Sequence, residues 1–526
     1  MKTTNNETSS TEGTVTVSRA EYEELKRENE RLSNENRWLA EQVTLARKNK
    51  FGSKADKVSD EAYEQMSLMF DEPEAIAWVE SVQEKKEVAV AAHSRTRKTG
   101  ALKDIIPDNI PVEVEEHRLE GKDLICEVCG SRMTEIGKTV KQSLKIIPEQ
   151  VIIHEDWYYS YACKTCEKAA DSTPVVKAPR DDSILPGSYA SPEAVAHIMT
   201  QKYVMGVPLY RQEQELNRKQ IMLSRQTMSN WVIKCSEKWL TPIYEELHRK
   251  LLQEDIIHAD ETALQVLHEP GKTPQTESFM WLYRTGKYAS HPIVLYEYRP
   301  DRKQGNPKAF LTDFAGYLQT DGYGGYNSVE GVTHVGCMAH LRRKFTDAEK
   351  AAPKGTRSPT ISTAIAYCSK LFDIEKELAD LGCEERYARR QAQARPVIDE
   401  FYAWVLTRNA SQKSKLGIAL TYAKNQMPII RNYLLDGRLE ISNNLAERSI
   451  KPFVIDRKNF LFANTPAGAD SSAVTFSIIE TARESGLDPF RYLEYVFRKA
   501  PILSHLDNNW VTALLPENAP DTCRVQ

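Results

Sequence analysis

The period of the apolar positions changes several times along the chain, and each change marks an element. Leu25, Leu32, Leu39 and Ala46 fall at the d positions of a heptad. Tyr22, Asn29, Asn36 and Val43 fall at a, among Glu, Lys and Arg. That spacing predicts a short coiled coil, in which Asn at a fixes register and favours a parallel dimer at a cost in stability. The bland alternative is a solvated amphipathic helix that never pairs. Further on the period shortens. Residues 256–260 and 317–321 are short runs that each end on an acid, Asp260 and Asp321. Between them, residues 279–284 and 292–298 are rich in aromatic and β-branched residues, as strands are, and a helix-like piece at 307–314 precedes the second acid. The predicted order is strand with Asp, strand, strand, helix, strand with Asp.

A fifth strand is predicted at 332–337, then a helix starting over 340–345. The pattern is almost wholly helical to Leu439, as at 387–404. Ser442-Asn443-Asn444-Leu445-Ala446-Glu447 reads as the start of another helix, capped by Ser442 or Asn443. Residues 475–501 read as an amphipathic helix, a Gly486-Leu487-Asp488-Pro489 turn and a second helix, with a loosely ordered chain beyond Ile502. Upstream, Ser191-Pro192-Glu193 starts a helix with Pro at its first position. Two more helices open at Leu209 and near Ser224. Their polar, basic starts, with Trp231 and Val232 turned inward, suit a helix-turn-helix reader whose second helix meets bases or phosphates. An ordinary helical bundle with exposed polar residues fits equally well.

Cys126-x-x-Cys129 and Cys163-x-x-Cys166 flank strand-like runs at 140–146 and 151–161. Two such pairs supply the four thiolates of a tetrahedral Zn²⁺ site, so a zinc-ribbon-like module is expected. The separation between the pairs is longer than the usual roughly 15–20 residues, and dithiol redox chemistry is the alternative. The other five cysteines are scattered and read as buried or free thiols. Residues 1–15 are Thr-, Ser- and Asn-rich and read as disordered. The acidic, Ala-rich and basic runs up to Lys103 read as linker.

Composition narrows the classes. The chain has 526 residues, 41% hydrophobic and 27% charged, with a net charge of −4. These values suit a folded multidomain protein and exclude a uniformly basic nucleic-acid binder, though not local basic patches. No run approaches the roughly 18 apolar residues of a membrane span, and the polar start has no signal-peptide core. A cytoplasmic, nucleoid-associated setting with reduced thiols is expected.

The chemistry turns on three acids. The strand order around Asp260 and Asp321 matches the first half of an RNase H-like domain, whose first and fourth strands are neighbours. Two aspartates there can share Mg²⁺ or Mn²⁺, hard ions that take carboxylate oxygens. Glu447 is the candidate third acid, and two ions would clamp the attacking and leaving oxygens of an in-line phosphoryl displacement. Taken singly, a strand-end Asp is more often a turn-former or cap. Arg342, Arg343, Arg448 and Lys451 are placed to neutralise phosphates; a surface ion pair is the plainer reading of Lys451. The role of His340 stays open.

HADETALQVL (258–267), YLQTDGYGGYNSV (317–329), GCMAHLRRKF (336–345), SNNLAERSIKPFVIDRKNFLF (442–462) and IIETARESGLDP (478–489) are long, ordered motifs. By them the chain resembles a DDE transposase of the insertion sequence 66 family (TnpC type), over nearly its whole length. A basic segment, Phe51-Gly52-Ser53-Lys54-Ala55-Asp56-Lys57, is similar to the family's Phe-Gly-x-x-Ser-Glu-Lys signature but departs from it at Ala55-Asp56. The family more often has Arg at the position of Lys451. The resemblance implies catalytic, metal-binding roles for Asp260, Asp321 and Glu447, and DNA contact by Arg211 and Arg225.

The expected fold is multidomain α/β. A disordered start and coiled-coil dimerisation helix (1–50) and a linker (51–110) lead to the zinc module (111–185). A helical DNA-binding domain (186–250) precedes an RNase H-like DDE core (251–475) with a helical insertion at about 346–439, and a C-terminal helical segment and tail close the chain (476–526). The expected activity is metal-dependent cleavage of the ends of a mobile element and strand transfer to target DNA. The expected partners are double-stranded DNA, a second copy of the chain or a higher oligomer, and accessory proteins encoded by the element. The rivals are an RNase H-like nuclease without strand transfer and an inactive zinc and coiled-coil DNA-binding regulator.

Overall fold

A computed structural model describes residues 23–24, 26–29, 31–32, 150–162, 175–178, 182–352 and 358–525. The described part of 23–32 is helical and exposed, but most of the heptad positions lie outside the described residues. So do the Phe51 segment and all four zinc-candidate cysteines. In the smaller of two structural units, residues 59–180, strand β1 (Ser160–Ala162) pairs antiparallel with β2 (Val175–Lys177). The strand expected at 151–161 is therefore only its last residues. Val151, Ile152 and Ile153 are exposed and find no partner strand among the described residues, so their β propensity has no ladder to join. The expected strand at 140–146 lies outside the described residues.

In the larger unit, α1 (Pro192–Tyr203), α2 (Leu209–Arg218), α3 (Arg225–Cys235) and α4 (Thr241–Leu251) precede the sheet. Ser191 Oγ accepts from the Ala194 amide and caps α1, and Ser224 Oγ does the same for α3 with Thr227. Trp231 and Val232 are buried as expected, and these helices share one apolar core with the sheet.

Five runs then form one mixed sheet. Its strands are β3 (Ile256–Gln265), β4 (Glu277–Thr285), β5 (Val294–Arg299), β6 (Tyr317–Gln319) and β7 (Thr333–Val335). The order is β5-β4-β3-β6-β7. β3 is antiparallel to β4 and β4 to β5, whereas β3, β6 and β7 run parallel. Seven of the ten residues of the central strand β3 are buried, on both its faces, as for a strand covered on both sides. The short helix α5 (Gly305–Phe310) precedes β6.

A second apolar core is built by α6 (Met338–Ala351), α7 (Pro359–Glu377), α8 (Cys383–Leu406) and α9 (Lys415–Ile430). Fully buried Arg390 on α8 pairs with Glu375 and donates to the carbonyls of Tyr433, Asp436 and Leu439. A buried guanidinium needs such complete pairing. It pins the chain where it returns to the sheet, just before α10 (Asn444–Phe460).

The last two long helices are α11 (Pro466–Glu484) and α12 (Pro489–Leu506). The sequence pattern suggested amphipathic character for the first of them, but α11 is buried almost all round. Its hydroxyls explain this. The Tyr296 amide donates to Ser477 Oγ, and the Val294 amide donates to Thr481 Oγ1, which in turn donates to the Val294 carbonyl. They cover the free edge of β5, which otherwise presents unpaired backbone groups. The chain beyond Ile502 is also ordered, with Leu514, Leu515 and Cys523 buried in the main core. Among the described residues no helix is long and apolar enough to cross a membrane.

Candidate active site

Asp260 sits on β3, and Asp321 lies two residues past the end of β6, the parallel neighbour of β3. Glu447 lies in the first turn of α10, which packs against β3. Each acid is held locally. Asp260 Oδ1 accepts from the Glu261 amide at 2.9 Å, and Asp321 Oδ1 from the Tyr323 amide at 2.8 Å. The turn after Asp321 needs glycine: Gly322 has φ +95°, and a Cβ there would meet Gln426 Oε1 at 2.8 Å and Tyr422 Oη at 3.0 Å. Tyr422 Oη also donates to the Asp321 carbonyl at 2.8 Å.

The three acids act on one another electrostatically. Loss of water around the Asp260 carboxyl, together with the charges of Asp321, Glu261 and Glu447, pushes its pKa well above the usual carboxylate range. Burial pushes Glu447 up to about 7; the Asp321 charge adds to this, and Arg343, Lys451 and Arg448 oppose it. Like charges brought together out of water favour a proton or a cation between them. Glu447 Oε1 is buried without a hydrogen-bond partner among the described residues.

Asn443, at the N-cap position of α10, does not cap that helix with its side chain. Its Nδ2 donates to the Ala259 carbonyl at 2.8 Å, so its Oδ1 is free to accept from His258 Nδ1 at 3.0 Å. The helix carrying Glu447 is thereby tied to the strand carrying Asp260. Burial lowers the pKa of His258 to about 4, which keeps the ring neutral at pH 7.

A fourth acid, Glu261, was not singled out from sequence. Its carboxylate accepts from Arg302 at 2.5 Å and from Tyr326 Oη at 2.6 Å, and Arg302 stacks on Tyr323 with 3.9 Å to the ring centroid. Burial and the Asp321 charge push Glu261 up to about 7 against these partners. Its adjacency to Asp260 was visible in the sequence, but the partners come from loops that sequence does not bring together.

On α6, His340 and Arg343 lie toward the acids. His340 Nδ1 is 3.5 Å from Glu447 Oε1, and burial lowers its pKa to about 4. Arg342, on another face, is exposed and its field falls on Cys368 instead. Arg448 is exposed beside Glu447, and Lys451 lies one turn beyond it. Arg211 and Arg225 are exposed on α2 and α3, away from this constellation in sequence, with Arg225 over the Tyr210 ring at 5.5 Å. The arrangement joins hard oxygen donors to neighbouring cations, a combination suited to phosphoryl chemistry.

Residues 187–471 match the Transposase IS66 family model, and residues 477–516 match the IS66 C-terminal element. Residues 123–167, which span the two CxxC pairs, match the zinc-finger binding domain of transposase IS66. Residues 38–114 match the model described as Transposase C of IS166 homeodomain. Two similar chains come from Sinorhizobium fredii (strain NBRC 101917 / NGR234). Uncharacterized protein y4jD is 30% identical over 76% of this chain and 79% of its own length. Uncharacterized protein y4hP is 27% identical over 86% of this chain and 82% of its own. The match that begins just ahead of α1 runs through all three acids and past α10, and on that span the chain belongs to the IS66 family of transposases.

Proposed function

We propose that the protein is a DDE transposase that cuts the ends of its element and joins the exposed 3′-hydroxyls to target DNA, with Asp260, Asp321 and Glu447 as the acids. The observation that carries this reading is the placement of Asp260 on β3, Asp321 just past the parallel neighbour β6, and Glu447 in the first turn of the helix α10 that packs against β3. The sheet order and mixed strand directions support an RNase H-like core.

The residues fit Mg²⁺ or Mn²⁺. All three donors are carboxylates, and burial together with neighbouring negative charge raises the proton affinity of Asp260 and Glu447, as suits a set that takes a hard cation. Bound there, such ions would neutralise charge on the reacting phosphate and activate the attacking oxygen. The chain's own part is positional. The Glu261 and Tyr323 amides orient Asp260 and Asp321, and Asn443 fixes the spacing between β3 and α10. Arg343, Arg448 and Lys451 hold the scissile phosphate beside the acids. Arg211 and Arg225 grip DNA farther out. Arg342 meets backbone phosphates at the rim. Cys126, Cys129, Cys163 and Cys166 hold a structural Zn²⁺, and the heptads of the first 50 residues pair two chains to bring two ends together.

The test uses full-length protein, a labelled duplex carrying the element end, a target plasmid and Mg²⁺. Cleaved and joined products support the proposal. Cleaved products that never join indicate a nuclease, and binding without any product indicates a regulator.

A further inference from the structure

One group beside the acids has no part in that scheme. Cys337 ends the segment after β7 and stands at the N-cap position of α6, and His340 lies in the first turn of that helix. Their ligand atoms and a carboxylate oxygen of Glu447 all lie within 4.8 Å of one another. Cys337 is 1% exposed and Glu447 is 8% exposed. His340 Nδ1 and Glu447 Oε1 face each other at 3.5 Å, and neither has a hydrogen-bond partner among the described residues.

Two buried, unsatisfied polar atoms in contact call for something between them. A direct charge-assisted hydrogen bond would draw them to roughly 2.7–2.9 Å. Two ligands of a tetrahedral ion, each roughly 2.0–2.1 Å from it, stand about 3.4 Å apart, close to what is found. Sulfur completes the pattern. The Asn443 amide donates to Cys337 Sγ at 3.2 Å, the kind of outer bond that holds a metal-bound thiolate in place. The frame is rigid as well, because the Met338 amide donates to the Ile441 carbonyl at 3.0 Å and locks the start of α6 to the approach to α10.

We infer that Cys337 Sγ, His340 Nδ1 and Glu447 Oε1 form a three-ligand site for a borderline-soft divalent ion of the Zn²⁺ class. Sulfur and imidazole select such an ion over Mg²⁺, so this site differs in kind from the all-carboxylate set while sharing Glu447 with it. The second carboxylate oxygen of Glu447 stays available to the acids. Binding releases the Cys337 proton to solvent, leaves a fourth position for water, and fixes the Glu447 rotamer.

The probe is Co²⁺, added to metal-stripped full-length protein, with bound metal counted per chain and thiolate-to-cobalt absorption recorded. Wild type is compared with Cys337→Ser and His340→Gln, each checked by circular dichroism. Each variant is expected to hold one Co²⁺ fewer than wild type, and Cys337→Ser to lose part of the thiolate absorption. The CxxC module contributes equally to all three proteins, so the difference isolates this site. Equal metal content in wild type and a folded His340→Gln protein overturns the inference and leaves a plain histidine–carboxylate contact. That variant decides the question even if Cys337→Ser fails to fold. Because the readout is binding, it is independent of whether the protein cuts or joins DNA.

Discussion

His258 Nδ1 donates to Asn443 Oδ1 at 3.0 Å, across 185 residues of chain. The same Asn443 amide group donates to the carbonyl of Ala259, the residue before Asp260. One side chain thus sets the distance between the strand bearing one acid and the helix bearing another. Asn443→Ala removes both bonds and leaves the His258 ring and the Ala259 carbonyl unpaired in the interior. A loss of about 2–4 kcal/mol is expected from denaturant unfolding. DNA cleavage is expected to fall at least about tenfold in protein that is still folded, as misplacement of catalytic groups does.

The acids carry a cost that metal-free protein should reveal. The Glu447 pKa rises from 4.5 to about 7 on folding, chiefly through burial. A raised carboxylate pKa means the native state holds its proton longer than the unfolded chain. Its stabilising contribution is complete below about pH 4.5 and is lost as pH rises through about 7. In chelator, the melting temperature should therefore fall as pH rises from about 4.5 to about 7. Glu447→Gln should flatten that slope and stabilise the protein at pH 8 by about 1–3 kcal/mol. An unchanged or lowered melting temperature for Glu447→Gln at pH 8 would count against the crowding of charge described here.

Gly322 is constrained by both its φ of +95° and its neighbours Gln426 and Tyr422. Gly322→Ala should strain the turn by about 1–3 kcal/mol and displace Asp321. The expected signature is cleavage reduced at least about tenfold with DNA affinity unchanged, read by gel shift alongside product formation.

Glu261 is buried between Arg302 and Tyr326. Arg302→Ala leaves a buried carboxylate without its cation, and because the Arg302 side chain is itself half-exposed the loss is expected to be about 2–3 kcal/mol. Tyr326→Phe removes one hydrogen bond and should cost about 1–2 kcal/mol. The ordering of the two losses in urea unfolding tests whether the ion pair or the phenol is the main anchor.

The strand order and the positions of the two aspartates were legible because each short apolar run ends on an acid, and the structure makes β3 and β6 neighbours. The helix bearing Glu447 was legible from the polar cap residues ahead of it, but the work of Asn443 was not. An Asn before a helix reads as a cap, and only the tertiary approach of β3 diverts its side chain. Burial of α11 was hidden by its Ser and Thr content, since hydroxyls that serve a strand edge look like solvent-facing positions in a linear pattern. The difference between Arg342 and Arg343 follows from helical spacing, because residues three apart, His340 and Arg343, share a face and Arg342 does not. Glu261 went unnoticed because its partners, Arg302 and Tyr326, come from loops between β5 and β7.

Asp260, Asp321 and Glu447 are proposed to perform the strand chemistry together. The most direct measurement is cleavage and joining of labelled element ends in Mg²⁺ or Mn²⁺ by wild type, Asp260→Asn, Asp321→Asn and Glu447→Gln, each first shown to fold and to bind the DNA. Every variant is expected to keep binding and to lose at least about a hundredfold in product, as removal of a metal-binding carboxylate should. A folded variant that cuts and joins at the wild-type rate would contradict it and remove that residue from the site.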